Sequence, residues 1–140
     1  MKKAIAMVAG LLVLLLVSCR DGNRAGTENY VEHADYIQIV LFHLAQRCES
    51  CNAVEYETER LLKEEYSEEV DAGKIKFIPL NFQSEHGKQA ARLLQASGQT
   101  LFVVKGDHVE DLTSPAFMYA STRPEYYRDE LREALDTFLE

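Results

Sequence analysis

The sequence predicts an α/β sandwich: three layers around a four-stranded mixed sheet, with elements in the order β-α-β-α-β-β-α. Three observations predict it. A nearly unbroken apolar run, Tyr36-Ile37-Gln38-Ile39-Val40-Leu41-Phe42, gives way to residues at helical spacing. A second apolar run starts at Lys74, directly after a glycine suited to end a helix. Two more apolar stretches flank Gly106-Asp107, and an amphipathic pattern closes the chain. A strand and crossover helix, repeated and then followed by a hairpin and a last helix, packs as helices against a sheet.

The first strand is expected over residues 36–44, where continuous apolar character fits a strand buried on both faces. A helix is expected over 50–70, because Val54, Leu61, Leu62, Tyr66 and Val70 recur at its period. Glu55, Glu57, Glu59, Glu64, Glu68 and Glu69 fill much of the rest and read as a solvated face, with Glu59 and Lys63 a favourable i,i+4 pair. Gly73 suits the left-handed stop. The second strand spans 74–82, with Pro79 a local warning because it removes a ladder donor. A helix over 85–97 carries Ala90, Ala91, Leu93 and Leu94 and stops before Gly98. The third strand is 101–104, and Gly106-Asp107 turns it into an antiparallel fourth strand over 108–112. Thr122-Arg123-Pro124-Glu125 resembles a capping box with proline at the helix start. Tyr127, Leu131, Ala134, Leu135 and Phe138 then line one face of the final helix.

The N-terminus belongs to no fold. Lys2 and Lys3 head an apolar run from Ala4 to Val17, shorter than the about 20 residues of a membrane span and suited to an export signal. It ends in Leu16-Val17-Ser18-Cys19, which resembles the lipobox of bacterial lipoproteins, where the cysteine is lipidated and becomes the mature N-terminus. An uncleaved anchor with an incidental cysteine is the alternative. The expected division is a signal peptide at 1–18, a lipidated tether at 19–35 and a domain at 36–140, held by lipid on a bacterial envelope membrane and facing the periplasm or exterior. The 140 residues less the 18 of the signal leave 122, one ordinary domain. Lys2 and Lys3 leave with the signal, so 15 basic residues become 13 against 23 acidic ones, and the formal charge moves from −8 to −10. That balance argues against a nucleic-acid partner, because phosphate binding needs a basic surface, so none is expected.

Of the three cysteines, Cys19 is accounted for by lipid, leaving Cys48-Glu49-Ser50-Cys51. A C-x-x-C where a strand hands over to a helix sets the first sulfur at a helix N-terminus, where unpaired N–H groups and the macrodipole favour thiolate. A bridge closing so small a loop does little to restrain the unfolded chain, so redox use is the better reading of the pair. Cys48 is the expected nucleophile and Cys51 the resolving thiol, together forming a reversible disulfide. Arg47 can add positive potential beside Cys48, and Glu49 opposes it.

Element order and motif position together resemble the thioredoxin fold in its minimal form, over roughly residues 36–140. More narrowly, Phe42-His43 with Arg47-Cys48-x-x-Cys51, Gly73-Lys74-Ile75-Lys76-Phe77 and Gly98-Gln99-Thr100-Leu101 are similar to a small bacterial thioredoxin-like family labelled a nitrophenyl-compound nitroreductase subunit. The residues themselves call for no flavin or other cofactor. Two departures from the thioredoxin pattern stand out. Thioredoxins carry a cis-proline before the third strand, facing the disulfide; here Ser97-Gly98-Gln99-Thr100 has none. A non-proline cis bond costs about 2.5–4 kcal/mol, so a trans loop is expected, with Gln99 and Thr100 facing the cysteines. Thioredoxin also buries an aspartate beneath its active site. Phe42 stands near that position, and His43 beside it either handles the proton or simply points to solvent or bonds backbone.

Three functions follow. The first is a membrane-tethered thiol–disulfide oxidoreductase or redox relay, with a protein disulfide or dithiol as partner and a membrane electron donor if it works as a reductase. The second is a binder of copper, zinc or arsenic through its thiolates; among His33, His43, His86 and His108, only His43 is a credible third ligand. The third is an envelope adaptor that docks through the acidic helix and Tyr119, Tyr126 and Tyr127, although such tyrosines are more often packing.

Overall fold

The computed structural model describes residues 29–140; the predicted signal and Cys19 lie outside the described residues. The elements are β1 Ile37–His43, α1 Glu49–Glu65, α2 Ser67–Asp71, β2 Ile75–Asn81, α3 Glu85–Leu94, β3 Thr100–Lys105, β4 His108–Asp111, α4 Thr113–Tyr119 and α5 Pro124–Leu139. The sheet runs β2-β1-β3-β4. β1 lies parallel to β2 and antiparallel to β3, and β3 is antiparallel to β4, so the sheet is mixed. The fold is an α/β sandwich. No helix of the described residues is long and apolar enough to cross a membrane.

β1 explains the three layers. All seven of its residues are buried because both faces of the strand are covered. Ile37, Ile39 and Leu41 share one core with Leu101 and Val103 of β3, and with Val54, Leu61, Leu131 and Leu135 of α1 and α5. Val40 and Phe42 point the other way, into a core with Ile78, Leu80, Phe102 and the Ala90–Ala91 pair of α3. The period of two sorts one apolar string onto two faces. Gln38 is the polar exception. Its side-chain oxygen accepts from the Val31 N–H at 2.8 Å and its NH₂ donates to the Val31 carbonyl at 2.7 Å, so both polar ends of this buried amide are bonded.

That clamp shortens the tether expected at 19–35. Tyr30 packs against the second core, Ala34 is buried, and the Ala34 carbonyl accepts from the Gly106 N–H. Residues 30–34 therefore belong to the folded body.

Four other expectations are corrected. The helix expected over 50–70 breaks at Tyr66 (φ −123°, ψ 23°), whose hydroxyl donates to Asp136 Oδ1 at 2.7 Å and ties the break to α5. α3 ends at Leu94 and not at 97: Gln95, rather than a glycine, takes the left-handed position at φ 55°. α4 was not foreseen at all. Asp111 Oδ1 accepts from the Thr113 N–H that opens it, and Thr113 Oγ1 accepts from the Leu101 N–H. The capping box before α5 does not form; Arg123 is the N-cap residue, and the Thr122 hydroxyl donates back to the Met118 carbonyl. Pro79, in contrast, is tolerated because β2 is an edge strand.

Gly87 sets the spacing of the α3 layer. A Cβ there would stand 1.9 Å from the Asn81 carbonyl oxygen, so the start of α3 crosses the end of β2 backbone to backbone. Ser84 caps that start by accepting from the Gly87 N–H at 3.0 Å.

Candidate functional site

β1 ends at His43, a short loop carries Arg47, and Cys48 is the N-cap residue of α1 with an extended backbone (φ −89°, ψ 168°). The first turn of the helix then turns Cys51 inward onto the sheet. Cys48 is exposed and Cys51 fully buried, and both are free thiols. Their sulfurs are 3.3 Å apart.

The two thiols are pushed in opposite directions. Cys48 lies below its ordinary value, chiefly because the Cys51 backbone N–H faces its sulfur, with the Cys51 thiol and the Gln99 side chain adding to the effect. The backbone contact is too loose for a capping hydrogen bond, yet it has the same electrostatic sense. Cys51 lies above its ordinary value, first because burial disfavours its thiolate and next because its S–H is engaged by Cys48. Such a pair reacts from the outside sulfur and closes from the inside one.

Gln99 is brought to the cysteines. Its NH₂ donates to Cys51 Sγ at 2.9 Å and reaches Cys48 Sγ at 3.9 Å. No peptide bond among the described residues is cis. Thr100 is held opposite Phe42 in the β1–β3 register, but its hydroxyl is buried without a hydrogen-bond partner among the described residues, so it bonds neither sulfur. A buried hydroxyl without a partner costs about 1–3 kcal/mol. Thr100→Val, which keeps the shape, is therefore expected to add roughly 1 kcal/mol of stability, seen as a raised urea midpoint at unchanged slope. A loss of stability would mean that the hydroxyl has a partner.

Arg47 pairs with the Glu55 carboxylate and donates from Nη2 to His43 Nε2 at 3.0 Å. His43 Nδ1–H in turn donates to the Leu44 carbonyl at 2.9 Å. Both ring nitrogens of His43 are occupied, and burial, ahead of any charge, holds the ring below the usual histidine value. The Arg47 charge opposes the upward push on Cys51. Glu55 is the member of this network that sequence reasoning assigned to solvent. It lies four residues after Cys51 on the same helix face, and that spacing was the available signal.

Glu57 also leaves the solvated face: it is buried and paired with Arg128 of α5. Of the tyrosines considered for docking, Tyr127 is fully buried and shares a hydrogen bond with Thr58 at 2.7 Å, which removes it from any surface. Tyr126 stays exposed, edge-on to Tyr119, with the Arg123 guanidinium 4.2 Å from the Tyr119 ring centre. No group of three or more metal-ligating side chains occurs among the described residues. An open groove of about 1060 Å³ follows β2 from His43 and Arg47 to Lys76, and neither cysteine lines it.

The fold and this site define an α/β sandwich with an exposed and a buried thiol at one helix N-terminus. No protein-family model matches the chain, and no characterised protein matches it either. Among solved structures, one described as "Structure of a malarial protein" aligns with a TM-score of 0.40 at 15% identity, covering 53% of this chain and 74% of that one. A likeness that weak carries no argument.

Proposed function

We propose that this chain is a thioredoxin-like thiol–disulfide oxidoreductase or redox relay, tethered to a bacterial envelope membrane through lipidated Cys19. One observation carries the chemistry: an exposed thiol of lowered pKa lies 3.3 Å from a buried thiol of raised pKa. The β2-β1-β3-β4 sheet with the dithiol at the end of β1 supports the thioredoxin-like assignment, as does the similarity to the small bacterial family described above.

In the reducing direction the Cys48 thiolate attacks one sulfur of a partner disulfide. The partner S–S bond breaks, its first sulfur leaves as a thiolate and takes a proton from water, and a mixed disulfide joins Cys48 to the second. Cys51 then gives up its proton and attacks Cys48 Sγ, and the second partner thiolate leaves. The partner gains two electrons and becomes a dithiol, and Cys48 and Cys51 become a disulfide. Oxidation of a partner dithiol is the same sequence reversed. Continuous reduction needs a membrane electron donor to return the two electrons.

A redox titration of the detergent-solubilised full chain carrying Cys19→Ser tests this, with Cys48 and Cys51 alkylated at each set potential. A single reversible two-electron transition is expected, and its midpoint gives the favoured direction of flow. Thiols that never pair, or that stay protected by co-purified copper or zinc, would remove the relay in favour of metal binding.

A further inference from the structure

We propose that Gln99 stabilises the Cys51 thiolate in the resolving step, supplying with a neutral carboxamide what a buried base would otherwise supply; this rests on the dithiol reading above. Resolution requires an ionised Cys51, and Cys51 is fully buried. Once Cys48 is tied up in a mixed disulfide, its negative charge no longer opposes that ionisation, but the cost of burial remains. Something must offset it.

The side chains in hydrogen-bond contact with Cys51 Sγ among the described residues are Cys48 and Gln99. In the mixed disulfide Cys48 carries no S–H and has nothing to donate. Gln99 Nε2, 2.9 Å from the sulfur, keeps its donor throughout. The carboxylate next along this face of α1, Glu55, is committed to Arg47, and His43 has both nitrogens occupied. Neither is free to take the Cys51 proton, so it passes to water or to the departing partner thiolate.

Gln99 is also well held for the task. It directly precedes β3, whose first residue, Thr100, is fixed opposite Phe42, and whose second, Leu101, donates its N–H to Thr113 at 3.1 Å. A carboxamide has two N–H groups, and the second sulfur lies 3.9 Å away. As the bond between Cys48 and Cys51 forms, negative charge is shared along the line of sulfurs, and the donor is within reach of both. Unlike a carboxylate, it neither adds charge beside the thiolates nor titrates.

The test uses the reduced full chain carrying Cys19→Ser, in detergent, mixed in a stopped-flow instrument with limiting dithiobis(nitrobenzoate). Cys48 releases the first nitrothiolate at a rate set by reagent concentration. Cys51 releases the second at a rate independent of it. In Gln99→Ala and Gln99→Leu the second phase is expected to slow by about tenfold or more, with its pH midpoint moved upward, while the first changes by less than about threefold. A second phase within about twofold of the unsubstituted rate overturns the inference, as does slowing with no shift of the midpoint, which would mean that Gln99 only positions the sulfur. If the chain with Gln99 intact shows no concentration-independent phase, the dithiol reading itself fails and takes this inference with it.

Discussion

Cys51→Ser is expected to turn a transient intermediate into the main product: a long-lived mixed disulfide between Cys48 and its substrate. The buried serine can still hydrogen-bond the Cys48 sulfur but cannot attack it, so the adduct waits for an outside thiol. Intact mass after exposure to a disulfide-bonded peptide measures this directly, and added reductant should release the adduct. Cys48→Ser is expected to do the opposite, leaving a thiol that is fully buried and above its ordinary pKa, with no adduct. The pH dependence has a definite sign. A lowered pKa means more thiolate at a given pH, so alkylation of Cys48 should reach its half-rate below the pH of an ordinary thiol, and that of Cys51 above it. Equal alkylation of the two at neutral pH would contradict the asymmetry on which the mechanism depends.

Arg128→Ala is expected to cost about 3–5 kcal/mol of folding stability, a large share of what a domain this size possesses. Arg128 is 4% exposed and joins Glu57, itself 7% exposed, across the contact between α1 and α5. Truncating the arginine leaves the Glu57 carboxylate buried and unpaired, which is the expensive outcome. Its second partner, Glu125, stands in solvent and adds little. Urea denaturation should show a lowered midpoint. The double variant Glu57→Leu with Arg128→Met should recover most of the loss, because the stranded charge and not the missing pair is what costs. A loss below about 1 kcal/mol in Arg128→Ala would place the pair in solvent.

What was legible in the sequence follows from how local each cause is. The string Ile37–His43 announces a central strand because burial on both faces leaves no polar alternation. Gly73 and Gly106 adopt the positive φ their positions required (72° and 57°). Cys48 and Cys51 carry their arrangement in a strand-to-helix handover, which four residues can encode. Features set by distant partners were hidden. Glu57 looks solvated until Arg128, 71 residues later, is folded onto it. The break at Tyr66 depends on Asp136, and the short α4, with Pro115 in its first turn, is held at its start by the Thr113 hydroxyl, which accepts from the Leu101 N–H. Gln95 shows a subtler limit: a side chain that pays a steric penalty for the left-handed region adopts it anyway, three residues before the glycine that would have cost nothing.

The clamp between Gln38 and the Val31 backbone sets where the leading segment is first held by the folded body. Gln38 is near the start of β1, whereas Cys48 follows its far end, so the strand separates the incoming chain from the reactive sulfur by about 20 Å. A pull on the leading segment is therefore borne first at the start of β1 and not at the sulfur.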